Sequence, residues 1–258
     1  MSDPRIHRAA AVGFEAAVER YERGRPSYPE DAVSFLVRAV GIGPGRDVVE
    51  LGAGTGKFTE LIASTGARIV AVEPVAGMRE ALVRTCPTVE VVDGTAEQIP
   101  LPDASADAVV VAQAFHWFAG QLALPEIHRV LRPEGALGLI WNVRDEASDW
   151  SERLTKIFDR FSSEGDPRYH QMRWREAFEA TDRFGPLHHQ VAYHVHQVTP
   201  DEFLDRVLSV SYVASAPEAD RERVAAEVAT LLESDPELRG RDRIVMPYRT
   251  DVYWCVRR

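Results

Sequence analysis

The chain is poor in three things, and each absence narrows what it can be. Two of its 258 residues are cysteine; Cys86 and Cys255 show neither metal-ligand spacing nor a disulfide framework. They read as small buried hydrophobes in a reduced compartment. No apolar run approaches the roughly 20 residues that a membrane span needs, and the opening MSDPRIHRAA carries no apolar signal segment. The expectation is a cytoplasmic protein with no membrane partner. Basic charge is also short, at 30 Lys and Arg against 40 Asp and Glu for a net charge of −10. That balance disfavours a nucleic-acid partner, whose affinity would come from neutralising phosphates. Repeats, low-complexity stretches and a Gly/Ser/Pro-rich linker are missing as well, so residues 1–258 read as a single domain, a monomer or a homodimer.

What is present is an ordinary globular composition, 45% hydrophobic and 27% charged. Three- and four-residue apolar spacing predicts helices over Phe14 to Arg25 and Glu30 to Val40. Strand-length apolar runs follow at Asp47 to Leu51, Arg68 to Glu73, Val89 to Val92, Ala108 to Ala112 and Ala136 to Trp141. Helical patterns separate them at about Gly56 to Thr65, Gly77 to Thr85 and Leu122 to Leu131. Such a βαβ series predicts a doubly wound, mostly parallel sheet of the Rossmann-like α/β class. After Trp141 the pattern changes: Trp150, Leu154, Ile157, Phe158 and Phe161 share one helical face. Late strands at His189 to Val198 and Tyr248 to Val256 bring the sheet to seven. Helices over 143–188 and 199–242, after the fifth and sixth strands, then read as cap insertions.

The sharpest motif is VVELGAGTGKFT, in which a buried strand runs through Gly52, Gly54 and Gly56 into a helix. Glycines there allow a tight turn and close approach of a ligand to the backbone. Lys57 stands where a dinucleotide fingerprint needs its third glycine, and Gly56-Lys57 is followed by Phe58 rather than by the Ser or Thr of a phosphate loop. Glu50 puts negative charge beside the loop, which suits a ligand with a cationic amino-acid end. Glu73, closing the second strand, stands where a carboxylate can accept both hydroxyls of a ribose. Together they describe a nucleoside bearing positive charge.

The ordered pieces ELGAGTG, AVEP, GTAEQIPLPDASADAV, AFHWF and LRPEGALGLIWN resemble the class I S-adenosylmethionine-dependent methyltransferases from about Tyr21 to Trp141. With YERGRPSYP, the chain is similar to the trans-aconitate methyltransferase-like small-molecule group. The resemblance implies that S-adenosylmethionine is the cofactor and S-adenosylhomocysteine the product. It implies that Gly52, Ala53, Gly54 and Gly56 with Glu50 line the methionine end, and that Glu73 and Pro74 hold the ribose. Met78, Thr95, Ala96 and Glu97 would frame the adenine, and the Gln113 backbone would meet the methionine amino group. Many relatives carry aspartate where Thr95 stands; threonine still offers one acceptor. Residues 1–30, with Tyr21, Arg25 and Tyr28, would form an arm closing over the donor site, and 31–142 the donor-binding core.

Methyl transfer from a sulfonium is an in-line displacement that needs positioning and exclusion of water more than a dedicated base. For a hydroxyl or amine acceptor, His116 just past the fourth strand is the candidate general base, with Trp117 as a wall of the transfer pocket. O-methylation of a small molecule is the favoured activity. The alternative is a donor-binding sensor or partner subunit without turnover. A nicotinamide oxidoreductase is opposed by Lys57 and Glu50. Arg144 and Arg249 are candidates for holding an acidic substrate. His194 and His196 share a strand face opposite Val191, Tyr193 and Val195, and together with His188 and His189 they are expected to face water rather than ligate a metal.

Overall fold

A computed structural model describes residues 25–146, 148–161, 169–214 and 216–258. Of the expected N-terminal helix only Arg25 is described; Tyr21 lies outside these residues.

Apolar alternation and helical spacing produce the expected series. Helix α1 (Glu30–Ala39) precedes β1 (Asp47–Leu51), α2 (Lys57–Ala63), β2 (Arg68–Val72), α3 (Ala76–Thr85), β3 (Glu90–Val92) and β4 (Ala106–Ala112). A 3-10 turn over Phe115–Trp117, α4 (Gly120–Val130) and β5 (Leu131–Arg144) follow. The distal part holds α5 (Asp149–Asp159), α6 (Glu176–Glu179), β6 (His188–Val198), α7 (Pro200–Leu208), α8 (Ser211–Ala214), α9 (Glu218–Ser234) and β7 (Ile244–Val256). The seven strands form one sheet in the order β3-β2-β1-β4-β5-β7-β6. β1 to β5 pair in parallel, and β7 runs antiparallel between β5 and β6. The order reverses at β1 and β4, whose carboxyl ends flank the crevice where such sheets bind ligands.

Two corrections to the sequence-derived elements matter. β5 extends to Arg144, three residues past Trp141, because Asn142, Val143 and Arg144 pair with Thr250, Arg249 and Tyr248. The stretch between β5 and β6 also divides rather than acting wholly as cap. α5 joins α7 and α9 in one core around Trp150, Phe158, Phe203, Val228 and Tyr248. Trp174 and Ala177 instead pack against Phe115, Leu124 and Trp141, in the core formed with α4. Both cysteines are buried, as expected. No helix among the described residues is long and apolar enough to cross a membrane.

Candidate functional site

β1 delivers the chain into the glycine turn. Gly52 and Gly54 sit at φ +66° and +60°, the left-handed region that side chains disfavour. They serve different ends. A Cβ on Gly52 would stand 2.8 Å from the Ala114 Cβ, whereas one on Gly54 would meet nothing within 4 Å. Gly52 is therefore required by packing, and Gly54 by the open cleft it lines. Ala53 also lines that cleft. Gly56 turns away from it, toward Leu82 at 3.1 Å, and sets how α2 packs on α3.

Two buried acids flank the turn. Glu50 is fully buried; Thr59, one turn into α2, donates to its Oε2 at 2.7 Å, and its Oε1 has no partner. Burial pushes its carboxyl up to about 8, with the Thr59 hydrogen bond opposing and nearby Glu73 adding. Glu73 accepts from the Gly54 amide at Oε2 and the Val75 amide at Oε1, both at 2.9 Å. Burial raises its pKa too, although those two amides favour the charged form. Each carboxylate oxygen keeps further acceptor capacity, so Glu73 shapes the turn while remaining able to accept from a ligand hydroxyl.

Beside Glu73 lie half-buried Pro74 and, on α3, buried Met78. The stretch following β3 brings Thr95 and Ala96 inward; the Thr95 hydroxyl is buried without a partner. Glu97 is held outward, its Oε1 accepting from the Ala119 amide at 2.8 Å, so it ties this stretch to α4. Arg129 on α4 braces the same stretch by donating to the Ile99 and Leu101 carbonyls. Gln113, at the end of β4, is a non-glycine residue at φ +58°, a conformation that persists only where its surroundings impose it. Its amide donates to the Ile140 carbonyl and its side chain to the Asn142 carbonyl. It lines the cleft.

His116 and Trp117 lie together in the 3-10 turn, ring centroids 5.3 Å apart. Buried Trp141 donates its indole N–H to His116 Nδ1 at 3.2 Å. Since indole is a donor only, Nδ1 must be the acceptor, and the neutral imidazole carries its proton on Nε2. Trp141 thus fixes the orientation of the His116 ring through Nδ1.

The cap closes the other side of the cleft with residues that local sequence pattern did not single out. Arg206 from α7, Tyr248 from β7 and Asn142 from β5 line it with Arg25. Arg25 Nη2 donates to the Ser209 carbonyl at 3.4 Å, Lys57 Nζ donates to the Arg25 carbonyl, and Asn142 Nδ2 donates to the Ser27 carbonyl at 3.0 Å. Lys57 thus anchors the entering chain. Only the sheet register, which places Arg144 and His194 on either side of Tyr248, reveals this wall.

That register also corrects the histidine reading. His194 and His196 turn inward, and Tyr193 and Val195 are 72% and 57% exposed. The cap helices cover the face that carries Val198, Met246 and Tyr248, and side-chain alternation puts His194 and His196 on that face. Arg249 is on the opposite face, engaged with Asp251 at 3.0 Å. Exposed His188 stacks on Trp254, and His189 pairs with Asp251 at 2.7 Å. Among the described residues, no group of three or more His, Cys, Asp or Glu gathers to hold a metal.

Residues 49–139 match the family described as a methyltransferase domain. An uncharacterized methyltransferase of Mycobacterium tuberculosis is 41% identical over 250 residues, 97% of this chain and 96% of the relative. An uncharacterized methyltransferase-like protein of Schizosaccharomyces pombe is 37% identical over 238 residues, covering 92% of each chain. Among solved structures, a protein assigned as a type II methyltransferase from Anaeromyxobacter dehalogenans is similar at a TM-score of 0.66 and 23% identity. That likeness covers 91% of this chain and 97% of the other. With a relative 41% identical over 97% of its length and the family match over 49–139, the chain belongs to the methyltransferases.

Proposed function

We propose that this protein transfers the methyl group of S-adenosylmethionine to an oxygen of a small-molecule acceptor. The observation that carries the reading is the open face of the glycine turn: Gly54 with space beyond its Cα position, between the partnerless Glu50 Oε1 and the Glu73 carboxylate. An orphaned buried carboxyl oxygen beside an open turn can accept from the amino group of an amino-acid end, and the buried Thr95 hydroxyl suits the polar edge of an adenine. When bound, the donor supplies an activated methyl on a sulfonium.

The chain's own residues then have definable tasks. Gly54, Glu50 and the Gln113 carbonyl orient the amino-acid end, while Glu73 fixes the ribose and Met78 with Ala96 encloses the base. The arm at residues 25–29 and the cap limit water. His116, held by Trp141, donates a hydrogen bond that orients an acceptor oxygen, and Trp117 walls the pocket. An arginine-bearing wall disfavours a protonated amine as acceptor and so favours oxygen. A binding protein without turnover has no specific feature in its favour.

Calorimetric titration with S-adenosylhomocysteine tests the donor site. Micromolar binding by wild type, lost in Glu73→Ala, supports it. Absence of binding by folded wild type, or equal binding of NAD, overturns it.

A further inference from the structure

The net charge is −10, yet two arginines and two histidines gather around Tyr248, and of this group Arg206 and Tyr248 line the cleft. Arg144, Tyr248 and His194 form one cross-strand row. The His194 ring stacks on Tyr248 at 5.5 Å and 23°, and His196 meets the same ring edge-on at 6.4 Å. From α7, Arg206 Nε donates to the Tyr248 hydroxyl at 3.4 Å. Arg206 Nη1, Arg144 Nε and the Nε2 atoms of His194 and His196 are all buried without a hydrogen-bond partner.

Among the described residues no carboxylate reaches these four atoms. Glu146 meets Arg144 at 3.2 Å through Nη2, leaving Nε unmatched. Glu202 is engaged with the Thr199 amide and lies 3.9 Å from Arg243. Glu50, across the cleft, is largely protonated at neutral pH because of burial. Burial also lowers the pKa of Arg144 and those of both histidines, and for His196 the charges of Lys57 and Arg206 act in the same direction. Stranding buried guanidinium N–H groups is costly unless something accepts from them. Clefts lined by one sign of charge focus the field onto an opposite ligand.

We propose that the side of the cleft formed by Arg206 and Tyr248 is an oxyanion subsite for the methyl acceptor. Arg206 takes a carboxylate or phosphate oxygen, Arg144 adds positive field, and the Tyr248 ring, backed by His194 and His196, shapes the rim. The subsite gives the small-molecule acceptor assigned above its chemical class, and therefore rests on that assignment. Because Arg206 shares the cleft with the glycine turn, its service to the acceptor must be separated from service to the donor's own carboxylate.

The test is titration of malonate, and separately inorganic phosphate, into protein saturated with S-adenosylhomocysteine. Wild type, Arg206→Gln, His196→Gln and Arg249→Ala are compared. We expect one or both anions to bind wild type and Arg249→Ala alike. Arg206→Gln should lose at least tenfold and His196→Gln several-fold, with S-adenosylhomocysteine affinity unchanged. Preference for malonate or phosphate then identifies the group. No anion binding by loaded wild type, or equal anion affinity in Arg206→Gln, overturns the subsite. So does an Arg206→Gln defect confined to S-adenosylhomocysteine, which would assign Arg206 to the donor. Failure of wild type to bind S-adenosylhomocysteine would instead remove the methyltransferase reading, and the subsite with it.

Discussion

Gly52 and Gly54 are two residues apart in one turn and have similar φ, yet substitution should separate them. In Gly54→Ala, left-handed strain costs about 1–2 kcal/mol, and the new methyl enters the cleft, so S-adenosylhomocysteine binding should fall at least tenfold. In Gly52→Ala the same strain is joined by a 2.8 Å approach to Ala114, so thermal stability should fall further than in Gly54→Ala. Melting curves and titrations on both variants check this, and equal stability losses would contradict it. Glu50 makes a second prediction. Its folded pKa of about 8 lies above the ordinary carboxyl value of 4.5, so the folded state holds the extra proton and its advantage is lost as pH rises through that window. Relative to wild type, Glu50→Gln should gain stability by about 1.4 kcal/mol per pH unit between those values. Denaturant unfolding at pH 5.5, 6.5 and 7.5 reads that slope, and a flat difference would mean that Glu50 is ionised in the fold.

Among the elements, α7 best illustrates how local chemistry positions a distant group. Thr199 and Glu202 form a reciprocal capping box, with Thr199 Oγ1 accepting from the Glu202 amide at 3.2 Å and Glu202 accepting from the Thr199 amide at 2.8 Å. The helix it starts carries Phe203 and Val207 into the cap core and Arg206 onto the cleft. Thr199→Ala should cost about 1 kcal/mol, a fall in melting temperature of roughly 2–4 °C for a chain of this size. A differential scan measures it; no change would show that tertiary packing alone holds the helix start. The capping pair and the apolar period of α7 are legible in the sequence. That Arg206 reaches the glycine turn is not, because it depends on where β6 and β7 set the helix. The inward turn of His194 and His196 was hidden for the same reason: a strand with apolar residues on alternate positions does not say which face the cap will cover.

At the scale of the whole molecule, a donor that binds only the folded chain should stabilise it by mass action. At 100 times its dissociation constant, S-adenosylhomocysteine adds about 2.7 kcal/mol, which corresponds to a rise in melting temperature of roughly 5–10 °C. NAD at the same concentration should produce no shift, and thermal scans with each nucleoside distinguish the two. The Rossmann-like sheet and the glycine turn follow from the sequence itself, since strand and helix periods and the conformational demands of glycine act over a few neighbouring residues. The Trp141 hydrogen bond to His116, the division of 143–188 between two cores and the placing of Arg206 beside Tyr248 were decided only by tertiary structure. Each depends on groups brought together from far along the chain: Trp141 on His116 across 25 positions, and Tyr248 on Arg206 across 42. Register and packing create those contacts, and no local pattern encodes them.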